Sequence, residues 1–235
     1  MSADLTTIET ELGNAVRLFQ TFGGVDLTRT LASIEFSLIA RRADTCKAAL
    51  AEAGVKAEVL GAAGTIKRLA GQVNVVVHAL GILLCLPRIL QPGEIIEYVS
   101  LGAGNTGKMF DLETNQRIAE FKFIQWRGGS EAIRQNGLFK DFYFMAEHPT
   151  EKRKFLYVLG TKHPEKFLNG RRALSSVLSH QSKLQRQFEE KYGERYEKVC
   201  DYYLPRKDDV VIEDILPLVP ELNALPLESN ETDEG

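Results

Sequence analysis

The sequence predicts an α/β chain, with a helical N-terminal region followed by a core in which a helix, three strands, a helix and a further strand succeed one another. Three observations predict it. Apolar residues recur at helical spacing as far as Cys85, and the pattern switches to a period of two after the turn signal Pro92-Gly93. Residues 108–123 read as two strands closed at Asn115-Gln116. The run from Phe155 to Leu159 has the length and the aromatic and β-branched content of a buried strand.

In chain order, residues 27–53 carry apolar positions at helical spacing and Gly54 supplies a stop. Further helices are expected over 57–70 and 72–85, the last ended by Pro87. The most hydrophobic stretch, 73–86, contains Asn74 and His78 and is short for a bilayer span, so it reads as a buried helix. Residues 94–101 form the first strand. The link Gly102-Ala-Gly-Asn-Thr-Gly-Lys108 has the GxxxxGK spelling of a phosphate-cradling loop, but Met109 and a strand follow where that motif needs Ser or Thr and a helix. The hairpin comes next, then an amphipathic helix over 130–147 carrying Ile133, Leu138, Phe139, Phe142 and Met145, and a buried strand over 154–160. Residues 164–203 are mostly helical with charged faces, and 222–235 are polar, acidic and expected to be disordered. The organisation is thus a helical region over 1–91, a core with its following helices over 92–205, and an acidic tail over 206–235.

The chain has 235 residues, 44% of them apolar, and a net charge of −3 that hides a strong asymmetry. Residues 127–207 hold 17 Lys and Arg against 10 Asp and Glu, whereas 208–235 hold 9 acidic residues and no basic ones. A basic surface for nucleic acid is therefore compatible with the acidic total. Cys46, Cys85 and Cys200 are odd in number and lack metal-ligand spacing, the N-terminus lacks the basic start and apolar run of a secretory signal, and a cytoplasmic protein with reduced thiols is expected. His148, His163 and His180 are not spaced as metal ligands, and no glycine-flanked hydrolase serine is present.

The chemistry concentrates in the hairpin. A two-residue loop at Asn115-Gln116, or a four-residue loop over 114–117, places Asp111 opposite Glu120, whereas a three-residue loop would shift the pairing by one; directly opposed residues project to one face about 5 Å apart. Two carboxylates there call for a positive charge between them. Lys122 shares the face of Glu120, while Phe110, Leu112, Ala119, Phe121 and Phe123 supply an apolar face opposite.

Asp111 followed by Glu120-Phe121-Lys122 resembles the site of the PD-(D/E)XK nuclease superfamily, and the order of elements is similar to the αβββαβ core of its restriction-endonuclease-like fold, a mixed sheet flanked by helices. The resemblance implies a metal-dependent nuclease that hydrolyses phosphodiester bonds, in DNA ahead of RNA. It implies Mg²⁺, with Mn²⁺ as a substitute, held by Asp111, Glu120 and the backbone carbonyl of Phe121, and Lys122 orienting or deprotonating water or stabilising negative charge. Gln135 with Phe139 is similar to the Gln-x-x-x-Tyr helix of an exonuclease branch, with Phe replacing Tyr, so Gln135 joins the catalytic candidates and Lys140 is a phosphate contact. Relatives draw a further acid from an upstream helix, but here that helix offers Gln72, Asn74 and His78, leaving Glu97 and Glu113 as candidates for an outer carboxylate shell. Trp126-Arg-Gly-Gly129 is a loop able to contact bases or phosphates. A homodimer, a protein partner on the N-terminal helices and no membrane association complete the expectation. The alternative is a catalytically inactive nuclease-like module that binds nucleic acid or protein.

Overall fold

The computed structural model describes residues 5–39, 41–102, 109–126, 132–179 and 181–224. The link over 103–108, residues 127–129 of the Trp126 loop, His180 and the tail beyond 224 lie outside them. Two compact units divide between Asn74 and Val75 rather than near residue 91.

The first unit contains α1 (Leu5–Gly23), α2 (Leu27–Leu38), α3 (Ala43–Glu52) and the start of α4 (Ala57–Ile89). The single helix expected over 27–53 is two. Asp26 caps α2 by accepting the Arg29 N–H at 3.0 Å, and at Ile39 the backbone turns extended with ψ 132°, a break that no glycine or proline marks. Gly54 stops α3 in the left-handed conformation at φ +74°, which favours glycine. The apolar side chains buried in this unit are small, Ala15, Ala49 and Ala62, while Phe36 and Leu60 stay exposed.

Helix α4 replaces the two helices expected over 57–70 and 72–85. It runs 33 residues, carries Gly71 in its interior and includes Pro87 two residues from its end. Among the described residues it is the helix long and apolar enough, by length and composition, to cross a membrane. The expectation of a buried helix holds for one stripe only. Ile82, Cys85 and Ile89 are buried against the sheet, whereas Val76, Leu80, Leu83 and Leu84 are 44–53% exposed.

The second unit is built on a five-stranded mixed sheet, β1 (Ile96–Val99), β2 (Leu112–Thr114), β3 (Arg117–Gln125), β4 (Arg153–Leu159) and β5 (Val211–Asp214), in that spatial order. The first three strands are antiparallel, and β3, β4 and β5 are parallel. Parallel neighbours need crossovers. Helix α5 (Ala132–Glu147) makes the first, and α6 (Lys162–Leu168), α7 (Leu174–Leu178), α8 (Ser182–Tyr192) and α9 (Val199–Tyr203) make the second. Strand β5 lies inside the segment expected to be tail, and Leu222 beyond it is buried.

Strand β4 is covered on both faces, which is why it reads as an unbroken apolar run. Leu156 and Val158 face the α5 to α9 layer with Ile118, while Phe155, Tyr157 and Leu159 join Leu112, Ala119, Phe121 and Phe123 under α4. Phe110 departs from the expected alternation. It precedes β2 in a bend and packs in the α5 layer, its ring edge-on to His148 at 5.0 Å.

Two features fix the hairpin. Arg117 clamps Glu94 with Nε–Oε1 at 2.6 Å and Nη2–Oε2 at 2.7 Å, while the Thr114 hydroxyl donates to Glu94 at 2.6 Å and accepts the N–H groups of Gln116 and Arg117. On the α4 face, the rings of Tyr157, Phe121 and Phe123 stack in a row, and Gly81 allows the helix to descend onto Phe123. A Cβ at residue 81 would meet that ring at 2.6 Å. Gly81→Ala gains about 1 kcal/mol of helix propensity but overpacks a row of rings at a typical cost of 1–3 kcal/mol. The expected result in thermal denaturation is a net loss of stability.

Candidate active site

The site grows out of the hairpin register. Strands β2 and β3 pair Leu112 with Ala119 and Glu113 with Ile118 around the two-residue turn at Asn115-Gln116, and the next step of that ladder sets Asp111 across from Glu120. Asp111 lies just beyond the end of β2. Its carbonyl accepts the Ser100 N–H at 2.7 Å, and its carboxylate Oδ2 accepts the Phe121 N–H at 3.0 Å. The N–H and C=O of one strand residue point toward the same neighbour. The Phe121 carbonyl therefore leaves β3 on the edge where Asp111 sits.

Glu120 and Lys122 share the α5 face of β3, as the alternation predicts. Lys122 Nζ lies 3.0 Å from Glu120 Oε1 and 2.7 Å from Asp141 Oδ2 on α5. Asp141 is buried in the midst of Leu138, Phe139, Phe142 and Met145. Asp141 is not among the residues that the hairpin spacing singles out. The signal was there: one acid inside an apolar helical run is costly unless a cation meets it.

His78 Nε2 of α4 comes within 3.3 Å of Asp111 Oδ1, and its ring sits edge-on to Phe123. The expected substitution of the upstream acid by Gln72, Asn74 or His78 thus resolves, within the second unit, to His78. Glu97 and Glu113 are both engaged by Lys152 Nζ, at 2.6 Å and 2.8 Å.

Gln135 is also elsewhere. Its side-chain oxygen accepts from Arg172, and it lines a separate cavity with Trp126 and His163. Six residues at 100° each set Gln135 about 120° around α5 from Asp141, so the two face different surroundings. Lys140, by contrast, does join Glu120 and Asp141 in lining an open cavity of about 600 Å³, together with Phe144, Gln181 and Lys183.

The electrostatics follow from burial. Loss of water pushes the Glu120 carboxyl up to about 7, Lys122 opposes the shift, and Asp111 and Asp141 reinforce it. Burial would pull the Lys122 ammonium down, but Asp141 and Glu120 outweigh it and hold its pKa above the ordinary lysine value. A general-base role for Lys122 in this state is disfavoured. Its proton is held by two carboxylates.

Glu120 and Asp141 share the Lys122 ammonium, and Asp111, which acts on Glu120 through its charge, meets His78 and the Phe121 N–H instead. No group of three or more His, Cys, Asp or Glu side chains among the described residues is disposed to hold a metal alone. That excludes a closed cage of side chains but fits Mg²⁺, which binds through one or two carboxylates and keeps several waters. Asp111, Glu120 and the Phe121 carbonyl match that donor set.

The raised Glu120 pKa contributes stability that is fully present below the unfolded value near 4.5 and is lost as pH rises through about 7. A divalent ion should restore it. With a dissociation constant near 1 mM, 10 mM Mg²⁺ would add about 1.4 kcal/mol, or roughly 3–6 °C in melting temperature. Differential scanning fluorimetry should show a larger rise at pH 8 than at pH 5.5.

Comparison with protein-family models, curated proteins and solved structures found no match to this chain.

Proposed function

We propose that the chain is a metal-dependent nuclease of the PD-(D/E)XK type, its second unit a restriction-endonuclease-like core, hydrolysing phosphodiester bonds in DNA ahead of RNA. The observation that carries this reading is Glu120, a half-buried carboxyl in line with Asp111 across the hairpin and bonded to Lys122, at the wall of an open cavity. When bound, Mg²⁺ supplies Lewis-acid polarisation of the phosphate and acidifies a water. Asp111, Glu120 and the Phe121 carbonyl hold the ion. Lys122 stays charged and positions the attacking water or offsets the negative charge that develops on phosphate. Asp141 holds the Lys122 ammonium in place from the α5 side. Lys140 and Lys183 at the cavity wall are placed for phosphate contacts, and Phe144 offers an apolar surface to the substrate.

The test is a cleavage assay on labelled single- and double-stranded DNA and RNA with Mg²⁺, Mn²⁺ or EDTA. Metal-dependent cleavage is expected, strongest on DNA. Salt-dependent binding without cleavage under either metal would replace this reading with the inactive module.

A further inference from the structure

The second cavity, away from the acids, carries the next step. It is an open cavity of about 240 Å³ lined, among the described residues, by Trp126, Gln135, His163, Lys166, Phe167, Gly170 and Arg172, none of them acidic. Among the described residues no carboxylate lies within ion-pair distance of Arg172, Lys166 or His163. The Arg172 guanidinium donates to Gln135 and, at 3.3 Å, to the Ser176 hydroxyl. Those bonds set its orientation but leave donors and the full positive charge uncompensated. Trp126 is half-buried and braced by the Phe167 ring at 6.3 Å, so its indole is held as a platform.

Both elements that build the acidic site lead to this cavity. Trp126 follows Lys122 by four residues on and just past β3, roughly 10–13 Å at strand rise. Gln135 precedes Asp141 by six residues on α5, about 9 Å along its axis. At 3.4 Å per nucleotide of a stacked strand, the separation is about three to four nucleotides.

We propose that this cavity is a strand-holding subsite, which takes one nucleotide of a single-stranded segment three to four positions from the bond at Glu120, with its phosphate on Arg172 and Lys166 and its base on Trp126. The proposal rests on the nuclease reading for its direction and adds the path of the substrate. An aromatic plate beside cations that no described carboxylate pairs suits a nucleotide, which combines a π face with an anion. A cavity of this size has room for one base and its phosphate.

Trp126 is the single tryptophan of the chain, so its emission reports on this subsite alone. Full-length protein carrying Glu120→Gln, to prevent turnover, is titrated with a 12-nucleotide single-stranded DNA while tryptophan emission and the anisotropy of a labelled copy are followed. The expected result is quenching that tracks binding, a loss of affinity of tenfold or more in Arg172→Ala, a smaller loss in the exposed Lys166→Ala, and retained binding with reduced quenching when the oligonucleotide is abasic. Anisotropy showing binding with unchanged Trp126 emission and no effect of either substitution overturns the proposal. Full quenching by inorganic phosphate at the same affinity also overturns it, since the cavity would then take a free anion. The wild-type cleavage assay separates the two readings: quenching without cleavage sinks only the nuclease, and cleavage without quenching sinks only the subsite.

Discussion

Glu120→Gln should abolish metal-dependent cleavage, by about 10³-fold or more, while the protein stays folded and gains stability in the absence of metal. The activity loss follows from removing half of the side-chain charge proposed to hold the ion, and several kcal/mol of transition-state stabilisation corresponds to that factor. The gain in stability follows from burial. In the wild type, a carboxyl pushed up to about 7 is forced to ionise above neutrality beside Asp111 and Asp141, and a neutral amide is not. The Mg²⁺-dependent rise in melting temperature should shrink in the same variant. Lys122→Ala should lose cleavage on a similar scale but leave the buried Asp141 with Lys140 at 3.9 Å in place of a cation at 2.7 Å, so a fall in stability is expected there. Single-turnover cleavage and thermal melts on the two variants distinguish a functional acid from a structural one. Unchanged cleavage in Glu120→Gln would remove it from the chemistry.

The largest structural effect is expected from Glu94→Ala. The Glu94 side chain is fully buried and that of Arg117 is 5% exposed, with Tyr157 OH accepting from the same guanidinium at 2.9 Å. Removing one member of such a pair leaves an uncompensated charge and costs about 3–5 kcal/mol. For a unit of this size that is roughly 6–20 °C in melting temperature. Because Arg117 and Thr114 hold the hairpin turn through Glu94, cleavage should fall with stability even though neither residue touches the substrate. Glu94→Leu combined with Arg117→Met, which leaves no buried charge, should recover most of the lost stability. Burial opposes ionisation of Glu94, but the hydrogen bonds from Arg117, Thr114 and Gln91 outweigh it, and its pKa lies below the ordinary carboxylate value. Its stabilising contribution is therefore present above that ordinary value and lost as pH falls through the depressed one. Acid unfolding of the wild type should include this step, and the double variant should lack it.

What could be read from the residues alone divides along physical lines. The hairpin register was legible because Asn115-Gln116 sits between two clean alternations, and a two-residue loop leaves one pairing for Asp111. The order of strands and helices was legible from the change of period at Pro92-Gly93. Strand β5 was not, because Val211 and Ile212 are few and lie among acids that read as tail, and only the neighbouring β4 makes them a strand. The break between α2 and α3 carries no glycine or proline, so backbone chemistry gave no sign of it. Within the site, Asp141 is tied to Lys122 by packing between α5 and β3, a relation that sequence spacing does not contain. Glu97 and Glu113 looked available because Lys152, far along the chain, is the charge that takes them. Gln135 looked close to the acids in sequence, but helical phase carries it to the second cavity.

Asp111 and Glu120 are proposed to hold a divalent ion between them beside a charged Lys122. Crystals grown or soaked with Mn²⁺ test it most directly through anomalous scattering. One peak within coordination distance of both carboxylates and the Phe121 carbonyl is the predicted result, and it should vanish in Glu120→Gln. A wild-type crystal saturated with Mn²⁺ that shows no peak there, with Lys122 still joined to Glu120 and Asp141, would rule out a metal site at these carboxylates.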